Sequence, residues 1–251
     1  MEHTILELNN VSLSLKESAD SFSLKPKKKE ILHDISFAMK EKEIIGLIGE
    51  SGCGKSTLAQ TILGFYKDYT GEIKFENTVQ EHAAQMVFQD PYSSLNPKKT
   101  IRFILKEPLK MKGGFTKEEM EDKIRSMLHR VGLEEEYLDR YPSELSGGQR
   151  QRICIAQALM LSPKLLIADE PVSALDVTIQ AQVMDLLFSL HKEMGLSILF
   201  ISHDLRLVYQ ICDRVMIMKN GKIIELQNVD DIFANPREEY TKKLLKDANL
   251  Y

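Results

Sequence analysis

Gly49-Glu50-Ser51-Gly52-Cys53-Gly54-Lys55-Ser56-Thr57 matches the phosphate-binding pattern G-x-x-x-x-G-K-[ST] at every fixed position. Before it runs Glu43-Ile44-Ile45-Gly46-Leu47-Ile48, an apolar run suited to a buried parallel strand, and after it Leu58-Ala59-Gln60-Thr61-Ile62-Leu63 reads as a helix. Strand, loop and helix therefore stand in the order the pattern needs. Gly49, Gly52 and Gly54 let backbone amides approach a polyphosphate, and the helix beginning near Lys55 aims its positive end at the same anion. Lys55 adds a point charge for the β and γ phosphates, and the Ser56 hydroxyl is placed to ligate Mg²⁺. A chance match in a chain of this length is on the order of one in a hundred.

The 251 residues can bury a substantial core, either as one α/β domain with an inserted lobe or as two small domains. A formal charge of −4 offers nucleic acid no general attraction. The one compact basic run, Lys25-Pro26-Lys27-Lys28-Lys29, lies in a polar stretch, residues 16–30, that reads as a solvated loop. Cys53, Cys154 and Cys212 are scattered and the histidines show no ligand spacing, which argues against a zinc or iron–sulfur site and for a reducing compartment. No apolar run approaches the roughly 20 residues that cross a bilayer, and residues 1–10 lack a signal-peptide core. The expectation is a soluble intracellular chain that meets a membrane only through a partner.

Outward from the loop, residues 5–13, 31–37 and 72–75 read as strands of a small antiparallel sheet. Residues 84–88 read as a core strand ended by Gln89-Asp90-Pro91. From about 92 to 144 the pattern turns helical and charged, with helices expected over 100–111 and 116–131 and a short piece near 134–140. Thr116 and Glu119 are spaced as a capping box. Beyond Leu145 the alternation of helix and strand resumes, with strands at 165–168, 197–201, 214–218 and 222–226 and a hairpin turn at Lys219-Asn220-Gly221. The expected organisation is one α/β domain whose core spans 1–91 and 145–251, with a helical subdomain at about 92–144.

A second constellation follows. Leu165-Leu166-Ile167-Ala168-Asp169-Glu170 is a buried strand that ends in two carboxylates. Beside a phosphate loop, Asp169 suits Mg²⁺ binding and Glu170 suits polarising an attacking water; the alternative is an acidic strand end that merely caps the next helix. Leu145-Ser146-Gly147-Gly148-Gln149 opens a helix with two glycines, a second anion-binding N-terminus with the Ser146 hydroxyl as a further donor.

With this last motif the chain resembles the nucleotide-binding subunits of ABC transporters over nearly its whole length. The resemblance implies a P-loop NTPase fold of the ABC type, α/β with a small antiparallel β subdomain and an inserted α-helical subdomain. It implies ATP and Mg²⁺ as ligands, with residues 49–57 as the nucleotide loop, namely Gly49, Glu50, Ser51, Gly52, Cys53, Gly54, Lys55, Ser56 and Thr57. Gln89 resembles the Q-loop glutamine that touches Mg²⁺ or the attacking water, Ser173-Ala174-Leu175-Asp176 resembles the D-loop, and His203 resembles the switch histidine that senses the γ phosphate. Catalysis would then rest on Glu170, His203, Gln89 and Lys55, metal binding on Ser56, Gln89 and Asp169, and nucleotide contacts also on Asp176. Ser146, Gly147, Gly148 and Gln149 of one subunit would close over the ATP of another in a head-to-tail dimer. The family usually stacks adenine on an aromatic residue where this chain has Leu15; Phe22 is the candidate substitute, against simple apolar contact.

Residues 88–97, Phe-Gln-Asp-Pro-Tyr-Ser-Ser-Leu-Asn-Pro, and residues 235–245, from Asn235-Pro236 to Leu244-Leu245, resemble the oligopeptide, dipeptide and nickel importer branch. That implies ATP-driven import of a peptide, nickel or a metal chelate, with a lean toward the second ATPase of nickel- or metallophore-type systems. The implied partners are a second ATPase subunit, identical or different, two membrane permeases and an extracytoplasmic substrate-binding protein, with no nucleic acid. The implied place is the cytoplasmic face of the cell membrane. The competing readings are a soluble ABC ATPase acting on nucleic acid or ribosomes, and a regulatory subunit that hydrolyses poorly.

Overall fold

Alternating apolar and polar residues draw the start of the chain into an antiparallel sheet. The computed structural model describes residues 3–16, 28–75 and 83–250, and the chain divides into two units, Met1–Gln80 with Ile198–Tyr251, and Glu81–Ser197. In the first unit β1 (Thr4–Lys16) pairs with β2 (Lys28–Lys40) on one edge and β4 (Tyr69–Phe75) on the other. Leu6 and Leu8 are buried, and so are Val11 and Leu13, although the parity of the positions changes between them. A register shift with Asn10 at φ 50 inserts the extra residue that keeps all four on the core face.

Both strands run further than the sequence pattern suggests. Leu15 and Lys16 pair with Lys29 and Lys28, so this part of the expected loop is strand. β2 is an edge of its sheet, and lysines at such an edge keep strand geometry while discouraging foreign pairing. Lys25, Pro26 and Lys27 lie outside the described residues, as does Phe22.

The strand that leads into the phosphate loop, β3 (Ile44–Ile48), is buried at every position, as its unbroken apolar run predicts. It lies parallel to both β7 (Ser197–Ile201) and β8 (Arg214–Lys219), and β9 (Lys222–Asn228) returns antiparallel along β8. The β8–β9 turn is two residues long, with Asn220 and Gly221 both at positive φ (47 and 75), as the twist of a tight hairpin demands. α7 (Leu205–Ile211) covers β3 so closely that a Cβ on Gly46 would fall 2.7 Å from Val208 Cγ1. α1 (Lys55–Ile62), α8 (Val229–Ala234) and α9 (Glu239–Asp247) complete the unit.

The second unit pairs β5 (Ala84–Val87) in parallel with β6 (Leu165–Asp169), another strand with no exposed residue. A one-turn helix, α2 (Pro91–Ser94), occupies the site read as a breaker: Asp90 accepts from Tyr92 N at 2.8 Å, and proline is at home in a first turn. α3 (Ile101–Lys112) and α4 (Lys117–Arg130) follow, and the Thr116–Glu119 capping box is present. Arg102 ties α3 to α4 through Glu121 (2.5 Å) and to a 3₁₀ turn, Glu135–Asp139, through Asp139 (3.2 Å). α5 (Gly147–Leu159) and α6 (Val177–Met194) pack on each other, and Gly195 ends α6 at φ 60, ψ 38.

Candidate functional site

The phosphate loop takes its shape from close packing against the β8–β9 hairpin. A Cβ on Gly49 would fall 2.2 Å from the Met218 carbonyl oxygen, so only glycine fits there. Gly221 N donates to the Cys53 carbonyl (2.9 Å), joining the tip of the hairpin to the loop. Gly54 stands at φ 112 as the residue before α1. Lys55 is only 8% exposed, and its ammonium donates to the carbonyls of Gly49 (2.7 Å) and Glu50 (3.0 Å). The loop thus carries a nearly buried cation held by its own backbone at the start of a helix, an arrangement that suits a polyphosphate. Ser56 is exposed on the first turn of α1, and Thr57 beside it is half-buried. Burial pushes the Cys53 thiol above its ordinary value although Lys55 opposes this, so the thiol stays protonated at neutral pH.

His203 is exposed and follows β7, outside α7; Asp204, next to it, caps that helix by accepting from Arg206 N (2.9 Å) and Leu207 N (3.4 Å). Leu15 is a half-buried strand residue paired with Lys29.

In the second unit the structure joins Gln89 and Glu170, which are 81 residues apart: Gln89 Nε2 donates to Glu170 Oε2 at 3.0 Å. The parallel register explains it. Val87 stands opposite Ala168, so two further residues along each chain bring Gln89 and Glu170 level. Asp169 is buried at the end of β6, and Glu170 turns into the left-handed region at φ 47. Its carbonyl accepts from Ser173 N (3.2 Å) and Ser173 Oγ (3.1 Å), which closes the turn that holds this conformation.

Ser146 and Gln149 form a reciprocal cap at the start of α5. Ser146 Oγ accepts from Gln149 N (3.3 Å), Gln149 Oε1 accepts from Ser146 N (2.9 Å), and Gln149 Nε2 donates to Tyr137 Oη (3.0 Å). The Ser146 hydroxyl hydrogen remains available to an anion. A Cβ on Gly148 would fall 2.5 Å from Ile179 Cγ2, so this glycine sets the approach of α5 to α6. Asp176 caps α6 by accepting from Ile179 N at 3.0 Å, a structural task the motif alone does not reveal. Arg150 lies over the Tyr92 ring (4.1 Å) and donates to the Pro142 carbonyl (2.6 Å), linking the segment after Gln89 to α5.

Among the described residues no group of three or more His, Cys, Asp or Glu is arranged to hold a metal. Ser56 in the first unit, and Gln89 and Asp169 in the second, each carry an oxygen atom of the hard kind that Mg²⁺ takes.

The model of the family described as ABC transporter matches residues 32–173. The chain belongs to the ABC transporter family. It is 46% identical over 98% of its length, and 79% of the relative, to the oligopeptide transport ATP-binding protein AppF of Bacillus subtilis. It is 46% identical over 88% of its length, and 71% of the relative, to the dipeptide transport ATP-binding protein DppF of Haemophilus influenzae. The ATP-binding cassette MJ0796, solved as a dimer in a post-hydrolysis state with ADP and phosphate, is 28% identical with a TM-score of 0.76, covering 90% of this chain and 99% of that one. This ABC chain is therefore an ATPase with the P-loop NTPase fold, built from antiparallel and mainly parallel sheet. No helix among its described residues is long and apolar enough to cross a membrane. Sequence reading missed Tyr240, whose hydroxyl meets the phosphate loop, and Glu225, which anchors the segment carrying it. The only signal was the position of Tyr240 in the closing stretch that marks the importer branch.

Proposed function

We propose that this ABC ATPase drives import of peptides, working at the cytoplasmic face of the cell membrane through two permease subunits supplied by an extracytoplasmic substrate-binding protein. The observation that carries this reading is the similarity to AppF and DppF across nearly the whole chain, since both are named for peptide transport. The lean toward nickel or a metal chelate has no such support and takes second place. The segment at about 92–144 acts in this proposal as the helical subdomain; the packing of α3, α4 and the 3₁₀ turn on one another supports it.

The residue roles belong to the same proposal. Amides of residues 49–57 and the Lys55 ammonium bind the β and γ phosphates, and Ser56, Gln89 and Asp169 would hold Mg²⁺, which neutralises phosphate charge when bound. Glu170 accepts a proton from the attacking water, with its carboxylate oriented by Gln89; His203 contacts the γ phosphate. Ser146, Gly147, Gly148 and Gln149, with Asp176, complete the site of a second nucleotide-binding subunit, identical or different. The dimeric state of MJ0796 supports this pairing. Loss of the bridging γ phosphate on hydrolysis then loosens the pair and moves the permeases between two states.

The test is co-purification with the permeases and binding protein, reconstitution in lipid, and ATPase measurement with peptides or nickel chelates loaded on the binding protein. Stimulation by peptides alone is expected. Stimulation by a nickel chelate and by no peptide would overturn the peptide assignment.

A further inference from the structure

The hydroxyl of Tyr240 is tied to the phosphate loop by residues that the motifs leave unused. α9 starts without a side-chain cap of its own. Its start is held instead by Glu225 of β9, whose carboxylate accepts from Arg237 N (2.8 Å), Glu238 N (3.3 Å) and Thr241 Oγ1 (2.5 Å), and from Gln227. Glu225 and Thr241 are both buried. A buried carboxylate with that many donors fixes the first turn of α9 in position and rotation.

Tyr240 lies in that turn. Its ring is buried beneath the Lys219 ammonium, 4.5 Å from the ring centre, and its hydroxyl accepts from Glu50 N at 3.2 Å. The N–H of Glu50 and the C=O of Gly49 are two ends of one planar peptide. That same carbonyl accepts from Lys55 Nζ at 2.7 Å. Tyr240 and Lys55 therefore grip opposite ends of a single peptide plane at the mouth of the phosphate loop.

We propose that Tyr240 is a positioning residue for ATP binding: its hydroxyl, aimed by the Glu225-anchored start of α9, fixes the Gly49–Glu50 peptide and through it the resting place of Lys55. Without the hydroxyl the Glu50 N–H loses its partner and the peptide is free to rotate, which takes the Gly49 carbonyl away from Lys55. A loop that must order its amides and its lysine when ATP arrives binds more weakly than one already ordered. Tyr240 acts through the loop and not on the reacting atoms. It therefore governs nucleotide affinity and leaves the hydrolytic step to Glu170.

The proposal deepens the ATPase reading and rests on it. The test compares the full chain with Tyr240→Phe, which keeps the ring and its contact with Lys219. For Tyr240→Phe the Kd and KM for ATP should rise about three- to tenfold, the range of one neutral hydrogen bond, with kcat within about twofold and the melting temperature little changed. Hydrogen exchange in a peptide spanning residues 49–57 should quicken while α9 keeps its protection. Glu225→Gln, which loosens the anchor, should weaken ATP binding as well, and the double variant should show less than the product of the two effects. Equal ATP affinity in Tyr240→Phe and the unsubstituted chain overturns this proposal alone; so does a fall in kcat at constant KM. Failure of the unsubstituted chain to bind ATP overturns the ATPase reading with it.

Discussion

Replacing Glu170 by glutamine separates the chemistry of this residue from its architecture. Glutamine has the same shape, keeps a carbonyl oxygen for the 3.0 Å bond from Gln89 Nε2, and bears the left-handed backbone at φ 47 no worse than glutamate. The turn closed by Ser173 involves only the backbone carbonyl of residue 170 and survives the change. What is lost, on the proposed role of Glu170, is the capacity of the carboxylate to take a proton from water. Loss of a positioned general base lowers turnover by about 10²–10⁴, or about 3–5 kcal/mol of barrier. Phosphate release at saturating Mg-ATP should fall by that factor, while ATP affinity and melting temperature stay close to those of the unsubstituted chain, so that the ATP-bound form accumulates. Turnover within about threefold of the unsubstituted chain would refute the assignment of Glu170 as the base.

Three further outcomes follow from named contacts. Lys55→Ala removes a charged donor and should raise the Kd for ATP by at least about tenfold in a nucleotide titration, the low end for hydrogen bonds to charged groups; a change under threefold would remove Lys55 from the phosphate site. Gly148→Ala drives a Cβ to 2.5 Å from the stiff Ile179 side chain, so α5 must shift from α6 at a cost of about 1–3 kcal/mol, read as a lower melting temperature; an unchanged melt would contradict that contact. Burial pushes the Glu225 carboxyl up, but hydrogen bonds from Thr241, Arg237 N, Glu238 N and Gln227 outweigh it and hold the carboxyl below its ordinary value of 4.5. The stability it contributes is thus present above that value and lost as pH falls through the lower, folded one. Glu225→Gln should flatten the acid side of a plot of melting temperature against pH; an unaltered slope would show that Glu225 does not titrate with folding.

Elements whose signal is local were legible in the sequence. The apolar runs of β3 and β7, the Thr116–Glu119 box and the Asn220-Gly221 turn each carry their own physics within a few residues, and each stands where the pattern placed it. The strand and helix that flank residues 49–57, and the helix that opens at Gly147 behind its Ser146 cap, belong to the same class. The extension of β1 to Lys16 and the start of β2 at Lys28 were not legible, because lysines at the end of a strand look like loop until the partner strand is known. The helix α2 was hidden by Pro91, which breaks a helix from within but begins one when Asp90 caps it. Tyr240 was hidden for a deeper reason. Its partner, Glu50, is 190 residues away and engages it through a backbone N–H, which no side-chain pattern records.

The pair Asp169-Glu170 shows how the fold turns adjacent residues into partners with different tasks. Successive side chains of a strand point to opposite faces, so two consecutive carboxylates on a continuing strand could not both serve one face. β6 ends at Asp169, and Glu170 leaves extended geometry for φ 47, which breaks the alternation at that step. The same step brings Glu170 level with Gln89 beyond the end of β5 and lets the two side chains meet. A non-glycine residue in the left-handed region costs of order 1–3 kcal/mol, and glycine would occupy it freely. The chain keeps glutamate there and secures it with two bonds from Ser173. The left-handed turn thus accounts for how the Glu170 side chain comes to lie beside Gln89. The step from Asp169 to Glu170 is therefore what gives the two adjacent carboxylates different surroundings, one buried at the end of β6 and one bonded to Gln89.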